Sequence, residues 1–383
     1  MTDELRVGVV GFGWMGQVHA RAMSRLLQHY PDAPLRPRLV AVADNAPDDR
    51  TERAAAAYGF EHLLTDWHEL VEHDQVDLVC VTGPNFIHRD VAVAAARAGK
   101  HLWVEKPAGR NAAETAEIVS AVEAAGVQAA TGFNYRNVPA VERARSIIAS
   151  GRIGTVEHTT VRFLADYSAD PDAALSWRFQ NEYAGSGVLG DLVSHAADLV
   201  QHVVAPIAEL VVDRATFIGR RRAAVPGAMH YEKGAGELGD VENEDYVNAL
   251  FRLTDGSRGI LESSRTAVGE QNTYGFEVHG TRGALAWDFR RLNELRVCAG
   301  QNHLNAFYAT EYAGPGDGEL RLFQPGTNNP IGFDDLKVIE ARRLVESIAT
   351  GSPVGATIYD ALAAARVVDA MVRSADDRKW VTL

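Results

Sequence analysis

Residues 7–16 read Val-Gly-Val-Val-Gly-Phe-Gly-Trp-Met-Gly, an apolar run that breaks into G-x-G-x-x-G at Gly11, Gly13 and Gly16. Gly11 permits a tight turn after a strand, Gly13 lets a ligand come close to the main chain, and Gly16 lets the following helix pack on that strand. The free N–H groups at the start of such a helix suit a pyrophosphate. Trp14 and Met15 flank the turn and are expected to cover the cofactor phosphates. A second apolar stretch, Leu39-Val-Ala-Val-Ala, ends in Asp44, placed to accept the ribose hydroxyls of a dinucleotide. The interval before it is long, and Pro31, Pro34 and Pro37 read as a loop that absorbs the excess. Asp44 repels a 2′-phosphate, and Asn45-Ala46-Pro47 offers no cation to welcome one, so the cofactor expected is NAD.

Outward from this turn, strands and helices alternate through the first third of the chain. Strands are expected at 5–11, 38–44, 76–82, 101–104 and 128–134. Helices are expected at 15–28, 48–58, 67–73, 89–98 and 111–125, with Gly59, Gly99 and Gly126 as stops. Alternating units of this kind build a Rossmann-type, doubly wound parallel sheet, assigned to residues 1–130. Beyond about residue 155 the rhythm changes to strand-like runs at 156–164, 209–217, 245–253, 259–265, 274–279, 283–289 and 294–298, separated by turns such as Asp255-Gly256. Residues 131–383 are therefore expected to form an α+β domain around a large, open, mainly antiparallel sheet. Helices near 140–150, 188–202 and 334–350 should cover one face, with 357–374 closing the domain. Residues 219–243, rich in Arg, Gly and Glu, read as a long loop.

Two strand ends carry residues with chemistry. The run 76–82 leads into Gly83-Pro84-Asn85-Phe86-Ile87-His88, and 101–104 leads into Glu105-Lys106-Pro107. In a parallel sheet both ends open toward the ligand, where a lysine can hold a hydroxyl and stabilise a developing alkoxide. Further on, Asp191 and His195 stand four residues apart, which on an α-helix puts them on one face. A histidine takes a proton from an alcohol at neutral pH, and an aspartate beside it orients the ring or binds substrate. An Asp-x-x-x-His pair also ligates zinc, but no companion histidines or cysteines complete such a set, and no metal is expected. Tyr135 ends a strand on the same side as Lys106, and Trp177 with Arg178 offers an aromatic face and a hydrogen-bonding fork for a sugar.

Taken together, Glu105-Lys106-Pro107, Pro84-Asn85-x-x-His88 and Asp191-x-x-x-His195, in this order and spacing, resemble the glucose–fructose oxidoreductase, inositol dehydrogenase and MocA superfamily. The resemblance implies Lys106, Asp191 and His195 as the catalytic trio, His195 as general base, and Pro84, Asn85, His88 and Glu105 close to the cofactor. One departure is visible: Ala108-Gly109 follows Pro107, where relatives carry a larger apolar residue. The activity implied is NAD-dependent oxidation of a ring hydroxyl of a sugar, glycoside or cyclitol. Alternatives are a biosynthetic oxidoreductase working on the sugar ring of a natural product, an enzyme that retains NAD for transient oxidation, and a non-catalytic dinucleotide sensor.

The formal charge of -13 over 383 residues argues against nucleic acid and anionic membrane as partners. Absence of an N-terminal targeting pattern and of any long apolar span points to a cytoplasmic protein. Cys80 lies within an apolar strand, where it acts as a small hydrophobe. In the run 245–253, Val247, Ala249 and Phe251 face one way while Tyr246, Leu250 and Leu253 interrupt the polar side. A sheet apolar on both faces needs a second cover, so a homotetramer or homodimer is expected, with the sheet of residues 209–299 between subunits.

Overall fold

The computed structural model describes residues 3–224, 232–299 and 303–383. The chain divides into two compact units, one of Met1–Asn137, Leu322–Gln324 and Ile331–Ala363, the other of Val138–Arg321, Pro325–Pro330 and Ala364–Leu383.

The first unit is built on six strands: β1 (Asp3–Val10), β2 (Leu35–Ala43), β3 (His62–Leu64), β4 (Leu78–Val81), β5 (His101–Val104) and β6 (Ala129–Thr131). They lie in the order β3-β2-β1-β4-β5-β6, all parallel. The order reverses between β1 and β4, and that switch point is where ligands bind in sheets of this kind. Helices α1 (Trp14–His29), α2 (Asp49–Tyr58), α3 (Trp67–Glu72), α4 (Asn85–Arg97) and α5 (Ala112–Ala125) make the crossovers. β4 is buried along its whole length, as a central parallel strand covered on both faces must be. The proline-rich loop is shorter than expected, because Pro37 lies inside β2 opposite Leu5. β3 joins β2 only from Ala41 onward, so Pro37 sits where β2 is still an edge, the place a proline is tolerated.

The helix Phe333–Thr350 corrects a second expectation. It does not close the second unit: Val338, Ala341, Leu344 and Val345 share the core of the first unit with Val9, Ala20, Met23 and Leu26. Arg21 and Arg25 of α1 pair with Asp334 and Asp335 at 2.7 and 2.8 Å. A hydrophobic stripe declares which face of a helix is buried, not what buries it.

Among the described residues of the second unit, a nine-stranded sheet runs Ala309–Tyr312, Glu294–Ala299, Gly283–Asp288, Thr273–Gly280, Val156–Leu164, Arg258–Ser264, Tyr246–Leu253, Ile207–Ala215 and Val381–Thr382. Arg258–Ser264 is parallel to Val156–Leu164, and every other pairing is antiparallel. The two edge strands, Ala309–Tyr312 and Val381–Thr382, were not expected from the sequence. Within 219–243, Arg220–Arg222 and Leu238–Asp240 pair as two short strands, while 225–231 lie outside the described residues.

Along Tyr246–Leu253, Val247, Ala249, Phe251 and Leu253 are all buried, so Leu253 belongs to the core face, as its period-two register with Phe251 requires. On the other face Leu250 is 50% and Ile260 51% exposed. Thr160, Arg162, Glu262, Glu277 and Arg296 help line a concavity of about 550 Å³ in the sheet. That face is polar with apolar spots, not apolar throughout.

Candidate active site

The glycine turn is locked from behind. Gly11 adopts φ +85°, and a Cβ there would meet Gly83 Cα at 2.5 Å. Its N–H donates to Ala43 O at 2.8 Å. The Thr82 hydroxyl lies 2.7 Å from Gly11 O and 3.0 Å from Val10 O. A Cβ on Gly16 would stand 2.2 Å from Gly11 O, so the helix presses directly on the turn. Gly13 is different: a Cβ there meets nothing within 4 Å, and no side chain caps the start of α1. The turn is thus open where a pyrophosphate would lie, and the residues present fit a dinucleotide. Asp44, at the end of β2, is fixed by Phe12 N–H to Oδ2 (3.1 Å) and Ala46 N–H to Oδ1 (3.2 Å). Trp14 is 65% exposed and stacks on Phe333 with ring centroids 5.4 Å apart, while Met15 is half-buried.

The ends of β4 and β5 are tied together by one side chain. Pro84 is the N-cap of α4 and Asn85 its first residue. His88, a turn further on and buried, places Nε2 2.8 Å from Gly83 O and Nδ1 2.8 Å from Pro107 O. Burial pushes its pKa down against those two carbonyls. Lys106 stands half-buried at the end of β5. Glu105, expected among the cofactor contacts, turns its carboxylate into the interior, which leaves its main chain at the strand end. The carboxylate meets His19 Nε2 at 2.9 Å and Lys337 Nζ at 2.6 Å, and it accepts Lys106 N–H at 3.2 Å. Tyr135 lies in the short helical turn Asn134–Asn137, buried, with its ring edge-on to Phe333.

In the second unit the helix carrying the Asp-x-x-x-His pair is not regular. Leu189–Val193 is a π-turn, followed by the α-helix Ser194–Val203, so Asp191 lies on the wider turn and His195 on the first α-turn. The simple four-residue register assumed from the sequence is therefore altered, and wide turns of this kind frequently mark functional sites. The Glu244 carboxylate accepts Gly187 N–H (2.8 Å) and Leu189 N–H (3.0 Å), satisfying donors at the helix start. Tyr167, which lies outside the motifs read from the sequence, donates its hydroxyl to Asp191 Oδ2 at 2.5 Å. Burial and the neighbouring Asp191 hold that phenol well above its ordinary pKa, so it stays a donor. Tyr274 donates to His195 O at 2.9 Å, and His195 is buried beside Phe163. Trp177 and Arg178 form a short helical turn in which the guanidinium lies 4.4 Å over the Trp177 ring. Among the described residues no group of three or more His, Cys, Asp or Glu is placed to hold a metal ion, and Cys80 is fully buried.

Two family models match the chain. One, an oxidoreductase family with an NAD-binding Rossmann fold, covers residues 5–133, and the other, a GFO/IDH/MocA C-terminal domain, covers 141–286. The levoglucosan dehydrogenase of Pseudarthrobacter phenanthrenivorans is 34% identical over 99% of this chain and 98% of its own length. The chain belongs to the GFO/IDH/MocA oxidoreductase family. The inositol 2-dehydrogenase of Rhizobium meliloti, another relative, is 28% identical across 99% of both chains. A solved levoglucosan dehydrogenase in complex with NADH and levoglucosan superposes with a TM-score of 0.92 at 32% identity, over 99% of each chain. The protein is accordingly an NAD-binding oxidoreductase of dehydrogenase type, with the parallel and mixed sheets that the sequence led us to expect. Among the described residues no helix is long and apolar enough to cross a membrane.

Proposed function

We propose that the protein oxidises a secondary hydroxyl on the ring of a sugar, glycoside or cyclitol to a ketone, with NAD as cofactor. The observation that carries the reading is the anchored pair in the second unit: Asp191 fixed by the Tyr167 hydroxyl, and His195 held through its carbonyl by Tyr274. Both residues are kept in place by groups that their own helix does not supply, and fixed groups are what proton transfer needs. Likeness along the whole chain to a levoglucosan dehydrogenase and an inositol dehydrogenase supports the substrate class.

In this reading His195 removes the hydroxyl proton, and Asp191 orients the imidazole or accepts a neighbouring hydroxyl. The Lys106 ammonium stabilises the negative charge that develops on the alcohol oxygen. Bound NAD supplies the acceptor for the hydride that leaves the same carbon. The turn Gly11–Gly13–Gly16, with Trp14 and Met15, would hold its pyrophosphate, and Asp44 its ribose. Asn85, and His88 through the strand ends it ties together, would shape the nicotinamide end of the seat, with Pro84 setting the start of their helix. Tyr135, Trp177 and Arg178 contribute to sugar recognition. The working protein is a homotetramer or homodimer joined through the open sheet face that exposes Leu250 and Ile260. A panel of cyclic polyols, anhydrosugars and glycosides with NAD, read at the nicotinamide absorbance, tests the reading. NAD reduction by at least one ring alcohol, and none by open-chain primary alcohols, is the expected result.

A further inference from the structure

Beneath Lys106 the first unit buries four ionisable side chains that the proposed chemistry does not use. His19 comes from α1, Glu105 from the end of β5, and Lys337 and Glu340 from the helix Phe333–Thr350. All four are buried, with no more than 6% exposure. Lys337 Nζ donates to Glu105 Oε1 at 2.6 Å and to Glu340 Oε1 at 3.0 Å, and Trp103 Nε1 donates to Glu340 Oε1 at 2.6 Å. The His19 ring lies against the Trp103 indole with centroids 3.8 Å apart. Burying so many charges costs more than filling the same volume with apolar side chains. Trp103 and Cys80 beside the cluster belong to the apolar core of the unit, so the fold alone gives no reason for it.

The contacts converge on one carboxylate. His19 and Lys337 both engage Oε1 of Glu105, which leaves Oε2 for the main-chain N–H of Lys106. The opposite side is shaped to match: a Cβ on Gly132 would stand 2.5–2.7 Å from the Glu105 carboxyl atoms, so only glycine lets the carboxylate sit there. Burial alone would raise Glu105, but the Lys337 ammonium and the His19 ring reverse this and hold it ionised. Burial pushes Glu340 up to about 7 even though Lys337 opposes the shift. Burial also takes His19 down to about 4, keeps the Cys80 sulfur a thiol and lowers His88. Glu105, held ionised, and Lys337, held protonated by its two carboxylate neighbours, form the ion pair at the centre of the cluster.

We propose that Lys337 is a positioning residue for Lys106, acting through the Glu105 carboxylate, with His19 and Glu340 as the supports that hold its ammonium and that carboxylate in place. The proposal rests on the reading of Lys106 as the cation that stabilises the alkoxide. Lys337 and His19, both on one oxygen, fix the rotation of the Glu105 carboxylate so that its other oxygen faces the main-chain N–H of Lys106. Glu105 in turn holds the main chain of Lys106 and keeps a negative charge behind it.

The test uses full-length Lys337→Met, Glu105→Gln and the double variant Glu105→Gln/Lys337→Met, which removes both charges at nearly constant volume. Readouts are the thermal midpoint, the NAD dissociation constant by titration, kcat and KM on a ring alcohol the parent oxidises, and the rate of reductive methylation of the Lys106 amine followed by peptide mass spectrometry. The double variant is expected to match the parent's midpoint and to bind NAD within about threefold, yet to lose about 10- to 100-fold in kcat with little change in KM. Its Lys106 is expected to methylate at a rate about threefold or more different from the parent. Should Lys337→Met leave an uncompensated buried carboxylate and fail to fold, the double variant alone decides. A stable double variant with parental kcat and parental Lys106 labelling overturns the proposal and leaves the cluster purely structural. If the parent oxidises no ring alcohol, the functional reading fails by itself, and Lys106 labelling still decides on the positioning role.

Discussion

Gly16→Ala probes the contact on which the nucleotide turn depends. The new Cβ would stand 2.2 Å from Gly11 O and 3.1 Å from Thr82 Oγ1. Gly11 cannot retreat, because its carbonyl is held by the Thr82 hydroxyl at 2.7 Å and its N–H by Ala43 O at 2.8 Å. The start of α1 must therefore move back by roughly 1 Å, with a strain of about 1–3 kcal/mol. The same movement draws the helix N–H groups away from the phosphate. One charge-assisted hydrogen bond, worth about 1.5–3 kcal/mol, corresponds to about 10- to 150-fold in the NAD dissociation constant. Gly13→Ala is the matched control: its Cβ meets nothing within 4 Å, so it should weaken NAD by filling the seat while leaving stability unchanged. Calorimetric titration with NAD and urea unfolding of both variants make the measurement. Gly16→Ala with parental stability and an NAD affinity within about twofold of the parent would falsify the packing argument.

Asp44→Ser should narrow the preference for NAD over NADP, measured as the ratio of kcat/KM values; an unchanged ratio removes Asp44 from cofactor choice. His195→Ala and Lys106→Ala should each lower kcat by about 10²–10⁴-fold while NAD still binds, and near-parental turnover across the pH range would remove His195 as proton acceptor. Tyr167→Phe deletes the hydroxyl that donates to Asp191 and should cost about 1.5–3 kcal/mol in urea unfolding at neutral pH; equal stability would show that water replaces the bond. Buried His19, with its pKa lowered to about 4, removes stability as pH falls from about 6.5, since the unfolded chain binds the proton more readily. Buried Glu340, raised to about 7, does the reverse and removes stability as pH rises from about 4.5 to 7. Each amounts to about 3 kcal/mol, so, relative to the parent, His19→Gln should lose stability toward alkaline pH and Glu340→Gln toward acid. Identical pH slopes in all three proteins would refute the two assignments. Light scattering at micromolar concentration should find a tetramer or dimer, and a fully active monomer would show that Leu250 and Ile260 need no cover.

The parallel sheet was legible because five of its six strands are short apolar runs closed by a glycine or an acid, and because the glycine turn fixes where the first crossover begins. The strand-rich half was legible from period-two runs and turns, yet Leu253 was assigned to the wrong face although its spacing from Phe251 decides the matter. Short edge strands such as His62–Leu64 and Val381–Thr382 carry too few residues for any period to show. The π-turn at Asp191 had no signal, since the residues that widen a helix look like those that do not. Tyr167 reaches Asp191 from 24 positions away, and no local pattern encodes a partner at that distance. Lys337 is likewise 232 positions from Glu105. In an otherwise amphipathic helix it reads as one more solvated lysine, so neither the buried cluster nor the partner of its helix was foreseeable.

The placement of Phe333–Thr350 has a consequence for how the chain comes into being. Its side chains complete the core around β1 and α1, yet the ribosome makes them more than three hundred residues later. A nascent chain carrying only the glycine turn and its six strands has an open flank where Val338, Ala341, Leu344 and Val345 will later lie, with Glu105 and His19 bare beneath it. Non-local contacts of this separation delay folding and leave apolar surface exposed meanwhile. The half of the protein that is translated first is thus among the last to be finished, and a chain cut short before residue 333 should be recognised by proteases rather than accumulate as a half-enzyme that sequesters nucleotide.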